Sequence, residues 1–275
     1  MEGSPAEIQV ILGWKIDARR LLISLPEDKF HAWSEDVTKL RNTEGKCLRS
    51  EVDTLVGRLN HTAGIIPQAR HFMSRIRQAL DLGGKRRRDT TLTHEARQDL
   101  ALWERWFLSQ AAAGISINLL VTRRPDQIWW SDACPFGIGG YGLSGKAWRI
   151  KIPENSPLHG NKKKVNNLLE FIGMAINFWL ACLETDATNH SCILAISDNT
   201  SAIGWLHSTS RLDPTWAAHD AHLVVARKVA NLLIDHECCI ASQHLKGELN
   251  LPGGGLATIF RWGRARKGSP TPRLR

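Results

Sequence analysis

The sequence predicts an α/β fold: a mixed sheet with flanking helices, preceded by a mainly helical region. Three observations predict it. From residue 128 onward, strand-like runs at 128–133, 139–143 and 147–152 are joined by Gly-rich turns, which reads as an antiparallel meander. Helix-like and strand-like runs then alternate to residue 244, the order that helical crossovers in a mixed sheet require. Ahead of both, residues 27–113 carry apolar side chains at helical spacing.

The elements follow in chain order. Residues 8–16 and 20–25 read as two short strands, ended by Pro26. Residues 27–40, 49–63 and 67–82 read as helices, with Leu48, Val52, Leu55, Val56 and Leu59 recurring at near-helical spacing. Gly83, Gly84, Lys85, Arg86, Arg87 and Arg88 then break the pattern and mark a joint. Over residues 92–113, Ala96, Leu100, Trp103 and Phe107 share one helix face, and Thr93 stands at the N-cap position. After the meander come a long helix at 164–183, a strand at 192–197 and a short helix at 200–207. A longer helix at 214–235, with Pro214 near its first turn, and a strand at 239–244 complete the series. From Pro252 the chain is Gly-rich and basic with no acidic residue, and disorder is expected there. The expected segments are 1–26, 27–84, 85–126, 127–251 and 252–275.

Lys and Arg number 36 against 27 Asp and Glu, a net charge of +9 that favours polyanionic partners through counterion release. Eleven Trp against one Tyr supply faces able to stack on bases, although scattered Trp is more often core. None of the six Cys forms a CxxC pair, which argues against a zinc site. Without a secretory signal, these read as reduced thiols of an intracellular protein, in cytoplasm or nucleus. The longest apolar runs, 111–121 and 171–183, are too short to span a bilayer, so no membrane partner is expected.

Three carboxylates occupy separated apolar contexts: Asp132 ending one strand-like run, Glu170 in the long helix and Asp198 ending another strand-like run. Parallel strands end at one sheet edge, so Asp132 and Asp198 can face one crevice. Glu170 borders the stripe formed by Val165, Leu169 and Ile172, where a carboxylate is costly unless paired or metal-bound. Three such groups together recruit Mg²⁺ or Mn²⁺, whose preferred ligands are oxygens. Taken singly each has an ordinary structural reading, Asp198 as a turn or capping residue and Glu170 as a solvated helix position.

Residues 137–142 match GxGxxG, but a strand follows where a dinucleotide site needs a helix, so that reading is rejected. These glycines are expected instead to permit a tight hairpin and close approach of a nucleic-acid backbone. Candidate phosphate contacts are Lys85, Arg86, Arg87, Arg88, Lys162, Lys163, Lys164, Asn199 and Lys246, with a solvated loop as the alternative for both basic clusters.

Residues 128–251 resemble the ribonuclease H domain of retroelement polyproteins. The resemblance is carried by Trp130-Ser131-Asp132-Ala133 with residues 137–141, by Asn167-Leu168-Leu169-Glu170-Phe171, by residues 196–202, and by His244-Leu245-Lys246-Gly247-Glu248-Leu249-Asn250. Residues 8–110 resemble the end of a reverse transcriptase palm, then a thumb and connection, as in DIRS-type and related LTR-type elements. There Leu12-Gly13-Trp14-Lys15-Ile16-Asp17 and residues 23–29 carry the palm likeness, and residues 56–61 with 65–70 the thumb likeness. The resemblance implies a ribonuclease H-like mixed sheet after a helical thumb and connection. It implies Asp132, Glu170 and Asp198 as catalytic ligands of two Mg²⁺ ions that hydrolyse RNA in an RNA–DNA hybrid.

The chain departs from that family at one position of the site: Gly254 stands where the family has a fourth Asp. Glu248 and His244 are the candidate substitutes. The paired Asp of the polymerase site has no counterpart here, since neither Asp17 nor Asp28 replaces it, so no polymerisation is expected. Two readings therefore stand: a metal-dependent nuclease, and an inactive nucleic-acid-binding remnant.

Overall fold

The computed structural model describes residues 7–82, 88–121, 124–160, 163–184, 191–207, 219–236 and 238–246. The expected strand at 8–16 is instead a hairpin of β1 (Ile8–Ile11) and β2 (Trp14–Asp17). Leu12 at φ +50° and Gly13 at φ +83° turn the chain back, so one apolar run makes two paired strands. β3 (Leu22–Ser24) extends this sheet and later takes β6 (Ile115–Ser116) at its edge.

Helices α1 (Glu27–Asn42) and α2 (Arg49–Thr62) follow the expected pattern. Residues 67–82 divide into a 3₁₀ turn (Pro67–Phe72) and α3 (Ser74–Leu82) rather than forming one helix. The short strands β4 (Lys46–Leu48) and β5 (Asp89–Thr91) pair antiparallel; at three residues each they are too brief for periodicity to reveal. Thr93 caps α4 (His94–Leu102) as expected, its hydroxyl accepting the Ala96 N–H at 3.2 Å. A π-helical stretch (Trp103–Phe107) leads into α5 (Leu108–Ala113), which Gly114 ends at φ +104°. Val37, Val52, Leu55, Leu59, Ile76, Leu100, Trp103 and Phe107 form one core here.

The second sheet contains β7 (Gln127–Cys134), β8 (Gly137–Gly142), β9 (Ala147–Lys151), β10 (Cys192–Ser197) and β11 (Cys239–His244), in the order β11-β10-β7-β8-β9. β7, β10 and β11 are mutually parallel, while β8 and β9 run antiparallel to their neighbours. Helices α6 (Lys163–Glu184), α7 (Thr200–His207) and α8 (His219–Asp235) flank it. This is the mixed sheet with flanking helices, of the α/β class, that the sequence predicts. The C-terminal ends of β7, β10 and β11 share one edge, which locates any site built from strand ends.

Gly137 to Gly142 lie inside β8 rather than in a hairpin turn. Two of its glycines make room for parts of this chain: a Cβ on Gly142 would stand 3.0 Å from the Trp129 ring, and one on Gly140 would stand 2.7 Å from the Trp130 carbonyl oxygen. The apolar stretch of α6, Val165–Leu183, is longer than the sequence run suggested and reaches membrane-spanning length, but it is 56% buried against the rest of the protein. Phe171, Met174, Phe178 and Ala181 join Trp129, Ile193 and Val229 in the second core.

The two regions touch through polar as well as apolar contacts. The ring of buried His71 lies 3.2 Å from the Leu206 carbonyl, and Arg227 of α8 pairs with buried Asp99 of α4 at 2.5 Å. Expected segment 252–275 lies outside the described residues, as do Lys85, Arg86, Arg87, Lys162, Glu248 and Gly254. Lys163 and Lys164 open α6, and their side chains are likewise outside the description.

Candidate metal centre

The β7–β10 ladder aligns Ile193 with Gln127 and Ile196 with Trp130. The same register, carried two residues further, brings Asp198 level with Asp132. Asp132 lies within β7, paired with Gly139, rather than closing the strand. Glu170 reaches the pair from α6, and it sits in the helix's buried face, at 2% exposure, rather than on its border. Oxygen atoms of Asp132, Glu170 and Asp198 all lie within 4.8 Å of one another.

The surroundings hold these groups in place without neutralising them. The ladder between β7 and β10 has its last partner at Trp130, so the Ala133 amide is left for side chains. It donates to Asp132 Oδ1 at 2.9 Å and to Glu170 Oε1 at 3.0 Å, tying the two carboxylates to one N–H. Ser197 Oγ lies 3.5 Å from Glu170 Oε2 and accepts the Asn199 amide at 3.1 Å. Among the described residues, no Lys or Arg pairs with any of the three carboxylates.

That arrangement raises proton affinity. Burial first, then the charges of Asp132 and Asp198, pushes the Glu170 carboxyl up to about 9. Burial and then Asp198 raise Asp132, against the pull of the Ala133 amide. Three crowded carboxylates with no cation beside them among the described residues fit a divalent metal of the oxygen-preferring class. Asp198 is exposed, Asp132 half-buried and Glu170 buried, so the cluster opens to solvent on its Asp198 side.

Other expected contact residues fall around this edge or away from it. Asn199 is occupied as a cap: its Oδ1 accepts the Ala202 N–H at 3.0 Å, and its Nδ2 donates to Asn167 Oδ1 at 2.9 Å. Lys246 is exposed just past β11, at the carboxylate-bearing edge. Arg88 is exposed near β5, where its carbonyl accepts the Arg49 N–H. His244 lies beside the cluster, but its Nε2 faces the Asp198 carbonyl at 3.1 Å, so it holds the Asp198 backbone. The supporting roles of Ala133, Ser197 and Asn167 were missed by the sequence reading. Asn167 had a signal, being polar and one turn before Glu170 on an apolar helix. The Ala133 amide had none, because a backbone donor has no residue type to read.

No protein-family model matches the chain, and no curated protein matches it. Partial structural likeness is found to a foamy viral protease–reverse transcriptase, at 11% identity in each of three solved structures. The dRH form with double-stranded DNA gives a TM-score of 0.31 over 88% of this chain and 38% of that one. The form with an RNA/DNA hybrid gives 0.32 over 98% and 32%, and that with double-stranded DNA gives 0.32 over 89% and 46%. This chain thus spans less than half the length of each protein.

Proposed function

We propose that this chain is part of a retroelement reverse transcriptase–ribonuclease H polyprotein, whose 127–251 segment hydrolyses RNA in RNA–DNA hybrids. The observation that carries the reading is the convergence of Asp132, Glu170 and Asp198 from two parallel strands and one helix. Residues 1–26 would be the end of the palm, 27–84 the thumb and 85–126 the connection.

Asp132, Glu170 and Asp198 would hold the Mg²⁺ or Mn²⁺ ions. Such ions supply an activated water and charge stabilisation on phosphate oxygens. The protein's own part is to present anionic oxygens. Glu170 must release the proton that its buried setting favours, and the Ala133 amide and Ser197 hydroxyl then orient the carboxylate. Asp198, on the exposed side, faces the approach of a nucleic-acid backbone, with Lys246 at the same edge to attract it. Selection of RNA paired to DNA would rest on groove shape and the 2′-OH rather than on base sequence.

The second reading is an inactive nucleic-acid-binding remnant, and Gly254 at the place of the family's fourth carboxylate favours it. Cleavage of a labelled RNA–DNA hybrid by the full chain, with Mg²⁺ and with Mn²⁺, tests both. Metal-dependent cutting of the RNA strand, lost in Asp198→Asn, supports the nuclease. Silence of the folded protein, with activity gained in Gly254→Asp, supports the remnant.

A further inference from the structure

α6 packs on β7 and β8 with glycines at two of its contacts, Gly173 on the helix and Gly140 on the sheet. Three turns of the helix meet three successive points of the sheet. Asn177 stands over Gly140, where an added Cβ would lie 2.5 Å from Asn177 Oδ1, 2.7 Å from the Trp130 carbonyl oxygen of β7 and 2.8 Å from Trp148 Nε1. Gly173 stands over Ser131, and a Cβ there would lie 3.2 Å from Ser131 Cβ. Glu170 stands over Ala133, whose amide it accepts at 3.0 Å. Ser131 and Gly140 are cross-strand partners, so the first two points sit side by side on β7 and β8.

The seat is polar as well as tight. Asn177 is 1% exposed and accepts the Trp148 indole N–H at 2.8 Å, which binds α6 to β9 across Gly140. Asn177 Nδ2 and Ser131 Oγ, both buried, have no hydrogen-bond partner among the described residues. An apolar residue at 131 would avoid that cost, whereas Asn177 offsets part of its own by accepting the Trp148 N–H. Helix propensity likewise argues against Gly173 in the middle of a long helix.

We infer that Gly173, Gly140 and Asn177 are positioning elements for the metal centre: they set the height of α6 above β7 and β8, and through it the reach of Glu170 to Asp132 and Asp198. The inference rests on the metal-dependent nuclease reading. A Cβ added at Gly173 would press on Ser131 and move α6 off β7 by a few tenths of an ångström, which draws the Glu170 carboxylate away from the Ala133 amide and from the other two ligands.

The test is Mn²⁺ binding by the full chain, followed by calorimetry or electron paramagnetic resonance, with thermal unfolding in chelator alongside. Gly173→Ala should weaken Mn²⁺ binding by about 10-fold or more, the usual scale for groups that orient metal ligands. Ser131→Gly placed with it removes the opposing Cβ and should return both the affinity and the unfolding temperature toward wild type. Asn177→Ala needs no new space but frees the Trp148 N–H; a variant shown to be folded by the same thermal unfolding should also bind Mn²⁺ more weakly. A folded Gly173→Ala protein with higher thermal stability and unchanged Mn²⁺ affinity, as helix propensity alone would give, overturns the positioning role and leaves the nuclease reading standing. Wild-type protein that binds no Mn²⁺ overturns the nuclease reading and the positioning role with it.

Discussion

Replacing Glu170 with Gln should make the metal-free protein more stable while abolishing the metal centre. Gln reproduces the protonated carboxyl in shape, and its Oε1 can still accept the Ala133 amide. The size of the gain follows from the raised proton affinity. An ordinary Glu titrates near 4.5, whereas burial and the neighbouring carboxylates move Glu170 to about 9. A group whose folded-state value is raised contributes stability that is whole below the unfolded value and is lost as pH climbs toward the folded one. At neutral pH the span already crossed is roughly 2.5 pH units at ~1.4 kcal/mol each, so the wild-type penalty is on the order of 3 kcal/mol. For a chain of this size that corresponds to an unfolding temperature change on the order of 10 °C. The assay is urea unfolding of wild type and Glu170→Gln in chelator at intervals from pH 5 to 9. Wild type should lose stability across the series faster than the variant, which keeps the dependence due to the remaining shifted groups, Asp132, Asp99 and His71 among them. Adding Mg²⁺ should stabilise wild type and leave Glu170→Gln nearly unmoved. Parallel pH curves for the two proteins would refute the argument, since they would mean that Glu170 is ionised in the folded protein without metal.

Further outcomes follow from the same structure. Burial holds the His71 ring neutral, with its value pushed down to about 4 against the help of the Leu206 carbonyl. Stability should therefore fall as pH drops from about 6.5 toward 4, by up to roughly 3 kcal/mol, and His71→Gln should flatten that acid limb in urea titrations. Arg227→Met strands the Asp99 carboxylate in the interface between α4 and α8 and should cost about 3 kcal/mol. The double variant Asp99→Asn/Arg227→Met should recover much of that loss, and equal destabilisation in single and double variants would count against the pair. Thr93→Ala removes the cap of α4 and should lower stability by about 1 kcal/mol in the same assay.

Local patterning carried much of the fold. The strands at 192–197 and 239–244 and the helix at 200–207 have the bounds their apolar runs indicate, and Thr93 caps where a Thr before a periodic run should. These features depend on neighbours within a few residues, which a linear pattern records. The three carboxylates were legible for a related reason, since each is a charge set in an apolar run and so a local anomaly. Short-range pattern misjudged the Leu12–Gly13 turn, β4 with β5, and the glycines of β8, because strand pairing and backbone turn angle belong to pairs of segments.

The depth of Glu170 was out of reach for a similar reason. Its place inside the buried face, rather than at the border, depends on the clearance that Gly173 and Gly140 allow between helix and sheet. So does the sharing of one Ala133 amide between two carboxylates, which requires the β7–β10 ladder to end at Trp130. Residue order could nominate the acidic groups because charge in an apolar run is written along the chain. Their convergence within 4.8 Å came from strand register and helix height, quantities that arise only when segments distant in sequence pack against one another.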